Sequence, residues 1–145
     1  MKKWLLATMI LLAGAGIIQA RDNYARDIKT LPAAAQAEIK NNFKAGVSVI
    51  KIDKDLGRIS EYEVILTDGT EITYDSKGNW KDVEVAPNHE VPAVYVPAPV
   101  REYVKKSHKG TKIVGIEKER KGYEVTLSNG IDIKFSADGS FLKYD

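Results

Sequence analysis

The sequence predicts an α+β chain of two tandem copies of one unit, each a helix packed on a four-stranded antiparallel sheet. Three observations lead there. First, Tyr62-Glu-Val-Ile-Leu-Thr-Asp-Gly69 followed by Thr70-Glu-Ile-Thr-Tyr74 recurs as Tyr123-Glu-Val-Thr-Leu-Ser-Asn-Gly130 followed by Ile131-Asp-Ile-Lys-Phe135. Each alternates apolar and polar residues around a Gly-containing turn, the signature of a half-buried hairpin. Second, an apolar stripe at four-residue spacing precedes each hairpin: Leu31, Ala35, Ile39, Phe43 and then Val96, Val100, Val104, His108. Third, the two copies keep nearly constant offsets, 65 at the helix and 61 at the hairpin, which is how an internal repeat reads.

The boundaries that follow are a leader over 1–20, an N-terminal segment over 21–30, a first unit over 31–85, a Pro-rich linker over 86–95 and a second unit over 96–145. The leader is read from Lys2 and Lys3, the apolar run Trp4 to Ile18, and Gln19-Ala20 before Arg21, the layout of a signal peptide. That run is shorter than the roughly 20 residues a membrane-spanning helix needs, so a retained anchor is the weaker alternative and no span is expected after cleavage. With no cysteine, the chain carries neither a disulfide nor a lipidated Cys. A protein released in soluble form into the periplasm or beyond is expected. Losing the leader leaves 20 of the 22 basic residues against 20 acidic ones, and that balance argues against a nucleic-acid binder.

In each unit the helix opens on an X-Pro pair, Leu31-Pro32 or Val96-Pro97, because proline at the first turn gives up no needed N–H. Gly46 suits the left-handed position that closes the first helix. First strands follow over 47–53 and 111–119, and the first-unit connection, Lys54 to Glu61, is read as a longer loop than Arg120-Lys121-Gly122.

The hairpin turns are set by their side chains. A two-residue Asp-Gly loop would oppose Leu66 to Glu71 and mix apolar with polar on one face. A three-residue loop with Gly69 in the left-handed region pairs Tyr62 with Tyr74, Val64 with Ile72 and Leu66 with Thr70. The same geometry pairs Tyr123 with Phe135, Val125 with Ile133 and Leu127 with Ile131, and the next turns set Trp80 across from Tyr74 and Phe141 across from Phe135. Pro87, Pro92, Pro97 and Pro99 make 85–99 extended and stiff, while Val91, Val94, Tyr95 and Val96 tie part of it to the body.

Catalytic and metal chemistry are poorly provided for. The two histidines, His89 in the linker and His108 at a helix end, form no ligand cluster, and Asp53-Lys54-Asp55 lacks the closing Glu of a calcium loop. No Ser sits in a nucleophile elbow, and the glycines mark turns, not a phosphate cradle. The chain is therefore read as non-catalytic, with no cofactor and no metal. The sheet face turned away from the helices is the candidate surface: Glu61, Glu63, Ile65, Glu71 and Thr73 in the first unit, with Asp75, Lys81 and Val83 nearby, and Glu124, Thr126 and Lys134 with Asp132 in the second. Apolar-in, polar-out alternation makes a plain solvated face the default, and a docking face for a basic partner is the alternative.

Leu31-Pro-Ala-Ala-Ala to Ile39, Tyr62-Glu-Val-Ile-Leu-Thr-Asp-Gly-Thr-Glu-Ile and Tyr74-Asp-Ser-Lys-Gly-Asn-Trp, with their counterparts in the second copy, resemble the PepSY-like family of secreted bacterial proteins. That resemblance implies a fold similar to the beta-lactamase inhibitor protein, in which two sheets form a shared concave surface that grips an enzyme. It also implies a regulator or inhibitor of an envelope protein or peptidase, although these motifs are turn and core positions and specify fold more than function. The expected partner is a protein or peptide of the cell envelope. A small-molecule or glycan binder with Tyr95, Tyr103 or Trp80 as stacking platform is the second expectation. An enzyme using His108 with Glu102 or Glu119 as base is the third.

Overall fold

The computed structural model describes residues 23–145, so the leader and Arg21-Asp22 lie outside the described residues. Among the described residues nine strands form one antiparallel sheet in chain order: β1 (Tyr24–Ala25), β2 (Val47–Asp55), β3 (Arg58–Leu66), β4 (Glu71–Asp75), β5 (Trp80–Glu84), β6 (Ile113–Glu119), β7 (Gly122–Leu127), β8 (Asp132–Ser136) and β9 (Phe141–Tyr144). Two helices, α1 (Ala33–Asn42) and α2 (Ala98–Ser107), pack on one side of it.

This corrects the expected architecture. Two separate helix-on-four-strand units do not form, because β5 pairs directly with β6 through Asp82↔Glu117, Val83↔Ile116 and Glu84↔Gly115. The molecule is a mostly β, single-sheet protein with one continuous core running from Leu31 to Phe135. The physical reason is the edge problem: two separate sheets would each expose a strand with unpaired backbone groups, and joining them removes both edges. The join also buries Val83 and Ile116 completely.

Local chemistry explains the hairpins. Tyr62 opposes Tyr74 and Val64 opposes Ile72; Tyr123 opposes Phe135 and Val125 opposes Ile133. The Gly69 N–H donates to Leu66 O at 3.0 Å and the Leu66 N–H to Thr70 O at 2.8 Å, with Gly69 at φ 95°, which is the three-residue loop that the apolar pattern requires. Leu127, Gly130 and Ile131 repeat that hydrogen bonding. Trp80 faces Tyr74 and Phe141 faces Phe135, each beside a register shift.

Other expectations give way to packing. Gly46 does not adopt the left-handed conformation; α1 ends at Asn42, and Phe43 turns extended at φ −130°, which sets its ring 6.0 Å from that of Tyr95. The span 54–61 is mostly strand and not a loop, with Leu56 and Gly57 at φ 50° and 79° closing a two-residue turn and Leu56 almost fully exposed. The proline-rich stretch is tied down by Val85 N–H to Val114 O and Val91 N–H to Ile113 O, and it curls into a 3₁₀ turn over Ala93–Tyr95.

Candidate functional site

Because side chains alternate along a strand, residues flanking Val64, Ile72, Val83, Ile116, Val125 and Ile133 point away from the helices. The register assembles them into two rows. One runs Tyr24, Lys51, Glu63, Thr73, Asp82, Glu117, Glu124, Lys134, Lys143 across all nine strands. The neighbouring row runs Val49, Ile65, Glu71, Glu84, Gly115, Thr126, Asp132.

The face is acidic between β2 and β7, with lysines toward its β8–β9 end. Five directly opposed cross-strand pairs join acid to acid: Asp53↔Glu61, Glu61↔Asp75, Glu71↔Glu84, Asp82↔Glu117 and Glu117↔Glu124. Like charges in direct opposition oppose sheet formation, so the core beneath carries this arrangement. Some compensation exists. Lys51 Nζ lies 3.1 Å from Asp53 and 3.0 Å from Glu63, Lys81 pairs with Glu61, and Lys134 Nζ lies 3.1 Å from Glu119 but 3.9 Å from Glu124.

The eight expected face residues all lie on this surface. Glu61, Glu63, Ile65, Glu71 and Thr73 form a patch on β3 and β4, and Glu124, Thr126 and Lys134 form another on β7 and β8. The patches are bridged by Asp82 and Glu84 of β5 and Glu117 of β6, which sequence reasoning missed. Their signal was the alternation of Trp80–Glu84 and Ile113–Glu119, but placing them side by side needs the β5–β6 register. The face is also more enclosed than a solvated sheet side: Ile65 is 7%, Glu124 4% and Thr126 8% exposed.

Burial acts on the carboxyls. Glu71 is pushed up to about 7 by burial and by the charges of Glu84 and Glu63. Glu124 is also pushed up to about 7, by burial first and then by a hydrogen bond with Asp145 and the charges of Asp132, Asp145 and Glu119. Burial raises Glu63 as well, against the pull of Lys51. Lys51 keeps its proton more firmly than usual, because burial disfavours its charge by less than Glu63 and Asp53 favour it. Asp75 behaves oppositely: although burial raises it, N–H groups of Asn79, Lys77 and Gly78 hold it below the usual range.

Asp53, Glu61 and Glu63 bring carboxylate oxygens within 4.8 Å of one another, a grouping with hard-cation chemistry. In Asp53-Lys54-Asp55, Lys54 and Asp55 are exposed, and Asp53 joins the face instead.

The aromatic candidates are engaged in packing. Tyr95 is buried, and Trp80 meets it edge-on at 5.3 Å, with Lys118 Nζ 4.0 Å above the Trp80 ring. Tyr103 stacks on Phe141 at 4.9 Å and shares a 3.1 Å hydrogen bond with Tyr144, whose hydroxyl also meets His108 Nε2 at 3.0 Å. His108 is thus engaged by Tyr144 and Glu119 by Lys134. An open cleft of about 460 Å³ between the end of α1 and the N-terminal segment is lined by Arg26, Ile39, Lys40, Phe43 and Val47 and contains none of the candidate residues.

A family model described as "Putative beta-lactamase-inhibitor-like, PepSY-like" matches residues 60–143. The chain belongs to the PepSY-like family. Three solved structures carry the likeness further. A protein of Bacteroides vulgatus described as a "putative periplasmic protein of unknown function" is 41% identical, with a TM-score of 0.78 over 84% of this chain and 97% of that one. One of Bacteroides thetaiotaomicron described as a "putative calcium-regulated periplasmic protein" is 33% identical, with a TM-score of 0.78 over 87% and 98%. A second "putative periplasmic protein" of Bacteroides vulgatus is 32% identical, with a TM-score of 0.75 over 86% and 98%. No curated protein matches the sequence. This PepSY-like protein is periplasmic, as its solved relatives are described. Among the described residues no helix is long and apolar enough to cross a membrane. Neither the family description nor those of the relatives name a catalytic activity.

Proposed function

We propose that this PepSY-like protein is a non-catalytic binding module whose open sheet face docks a protein or peptide segment of complementary basic charge. The observation that carries the reading is the run of five acid-to-acid cross-strand pairs on the face away from the helices. Such a run weakens the isolated sheet, and a basic partner relieves the repulsion on docking, converting local instability into binding and electrostatic steering. Val49, half-buried beside the buried Ile65, adds an apolar contact point at one end.

The test is capture from periplasmic extract by the native protein and by a Glu71→Lys, Glu84→Lys double variant, with Glu102→Lys on α2 as the helix-side control. The reading expects a partner held by the native protein and the control and lost from the double variant. A partner held equally by all three, or by none, overturns it.

A second reading has its own support. The Asp53, Glu61 and Glu63 carboxylates form a partial oxygen set for a calcium ion, and one relative at 33% identity is described as calcium-regulated. Lys51 Nζ already neutralises two of the three acids, so calcium must displace it. Calorimetric titration with calcium chloride checks this: heat that vanishes in Glu61→Gln and grows in Lys51→Met supports the reading, and no heat in the native protein removes it.

A further inference from the structure

We propose that an arginine side chain of the docked partner seats its guanidinium between Glu117 and Glu124 at the middle of the open face. This rests on the docking-face reading above and names the group that the face recognises. Glu124 is 4% exposed, and although its carboxyl shares a hydrogen bond with Asp145, its Oε2 receives none, where a buried carboxylate oxygen normally has a donor. The lysine on the same row does not fill the role: Lys134 Nζ is 3.1 Å from Glu119 Oε2 and stays 3.9 Å from Glu124 Oε2. At the other end of the row Glu63 Oε2 likewise receives no hydrogen bond, but a cation stands closer to it, with Lys51 Nζ at 3.0 Å. The row therefore has a resident cation at Glu63 and a weakly served acid at Glu124.

Glu117 stands directly across from Glu124 on β6. Two glutamates directly opposed on adjacent strands, their Cβ atoms about 5 Å apart, match a planar guanidinium with its five donors better than the point charge of an ammonium. Arginine is also less strongly hydrated than lysine and enters a half-desolvated site more readily. The groups around Glu124 agree with this. Glu119 and Glu117 approach from β6, Asp132 and Lys134 from β8, and Asp145 and Lys143 from the chain end, a set in which acids outnumber bases. Burial and those acids keep the Glu124 proton on until about pH 7, so a guanidinium that binds the carboxylate displaces a proton near neutrality.

The test is NMR titration of the isotope-labelled protein at pH 7 with an acetylated, amidated Gly-Arg-Gly-Arg-Gly peptide. The matching lysine peptide and calcium chloride are run beside it. The proposal expects the arginine peptide to shift the Glu124 side-chain carboxyl carbon and to lower its titration midpoint by at least one pH unit. The lysine peptide binds at least threefold more weakly, and Glu124→Gln and Glu117→Gln each weaken the arginine peptide at least tenfold with unchanged circular dichroism. Glu102→Gln leaves its affinity within twofold. Arginine-peptide shifts confined to β2–β4, with native affinity in Glu124→Gln, overturn this inference and leave the docking face standing. Equal affinity for the lysine peptide, or a Glu124 response to calcium and to neither peptide, overturns it too. Absence of any open-face shift with either peptide overturns both readings.

Discussion

Tyr74 and Tyr95 donate their hydroxyls to the same oxygen of Glu38, each at 3.0 Å. Glu38 belongs to α1, Tyr74 to β4 and Tyr95 to the 3₁₀ turn of the proline-rich stretch, so one carboxylate fastens three segments. Glu38→Ala removes the acceptor and leaves two buried hydroxyls unpaired, at a cost of about 1–3 kcal/mol for each. The expected result is an unfolding free energy, from urea denaturation, lower by about 2–6 kcal/mol in total, while Glu38→Gln, which keeps an acceptor oxygen, falls by less than half as much.

The same contact predicts alkaline behaviour. Burial, then the Glu38 charge, raises both tyrosines well above their ordinary value of 10.0. In the unfolded chain they ionise first, so the stability tied to their protonated forms is complete below pH 10 and drains away as pH climbs above it. Ultraviolet titration of phenolate absorbance is expected to show two of the tyrosines silent until the protein unfolds. Smooth titration of all seven tyrosines in the folded state rules the contact out.

Near neutrality the open face governs. Glu71 and Glu124, raised from 4.5 to about 7, hold protons in the folded protein that the unfolded chain has already released. Their contribution is whole below about pH 4.5 and is lost as pH rises through 7, so these groups make the protein more stable at pH 5 than at pH 8. Denaturation at pH 5, 6, 7 and 8 is expected to show the midpoint falling across that interval. Glu71→Gln combined with Glu124→Gln flattens the slope and lifts the midpoint at pH 8. A midpoint that rises from pH 5 to 8 contradicts the assignment.

The hairpin registers, the opposed Tyr62 and Tyr74, and the left-handed Gly69 were legible in the sequence because alternation has period two and a one-residue slip reverses every side chain. The join of β5 to β6 was not. About thirty residues separate the two strands, no turn fixes their register, and Val83, which the sequence reading set beside the outer face, lies fully buried on the inner face opposite Ile116. The candidate face was legible residue by residue, yet its central acids Asp82, Glu84 and Glu117 come together only through that join. Glu38 gave no signal either, since a glutamate on a short helix reads as solvated until two tyrosines from elsewhere arrive.

Glycine substitutions separate backbone strain from packing. Gly69 and Gly78 have φ of 95° and 90°, but a Cβ on Gly69 meets nothing, whereas one on Gly78 would lie 2.8 Å from Pro32 Cβ and 3.3 Å from Ala35 N. Gly69→Ala is expected to cost the left-handed penalty of about 1–2 kcal/mol. Gly78→Ala adds to that the displacement of the first turn of α1, for a total larger by about 1–3 kcal/mol. Equal losses in the two variants, measured by urea denaturation, would show that α1 does not rest on the β4–β5 turn.

The single sheet makes a prediction that separate units do not. Val83 has no exposed surface and sits opposite Ile116 at the join, within a core cluster continuous from Leu31 to Phe135. A protein whose core crosses the join unfolds as one cooperative unit. Fluorescence of Trp80, which lies in the first half, and far-ultraviolet circular dichroism, which reports all nine strands, are therefore expected to change together. Val83→Ala removes two methyl groups from a fully packed site and is expected to lower stability by about 2 kcal/mol, with both signals still coincident. Val83→Asp places an unpaired charge in the core and beside Ile116, and the fluorescence and dichroism transitions are expected to separate, because the strands on either side no longer share a buried seam. Two transitions in the native protein, or coincident ones in Val83→Asp, would mean that the cooperative unit is not built across β5 and β6.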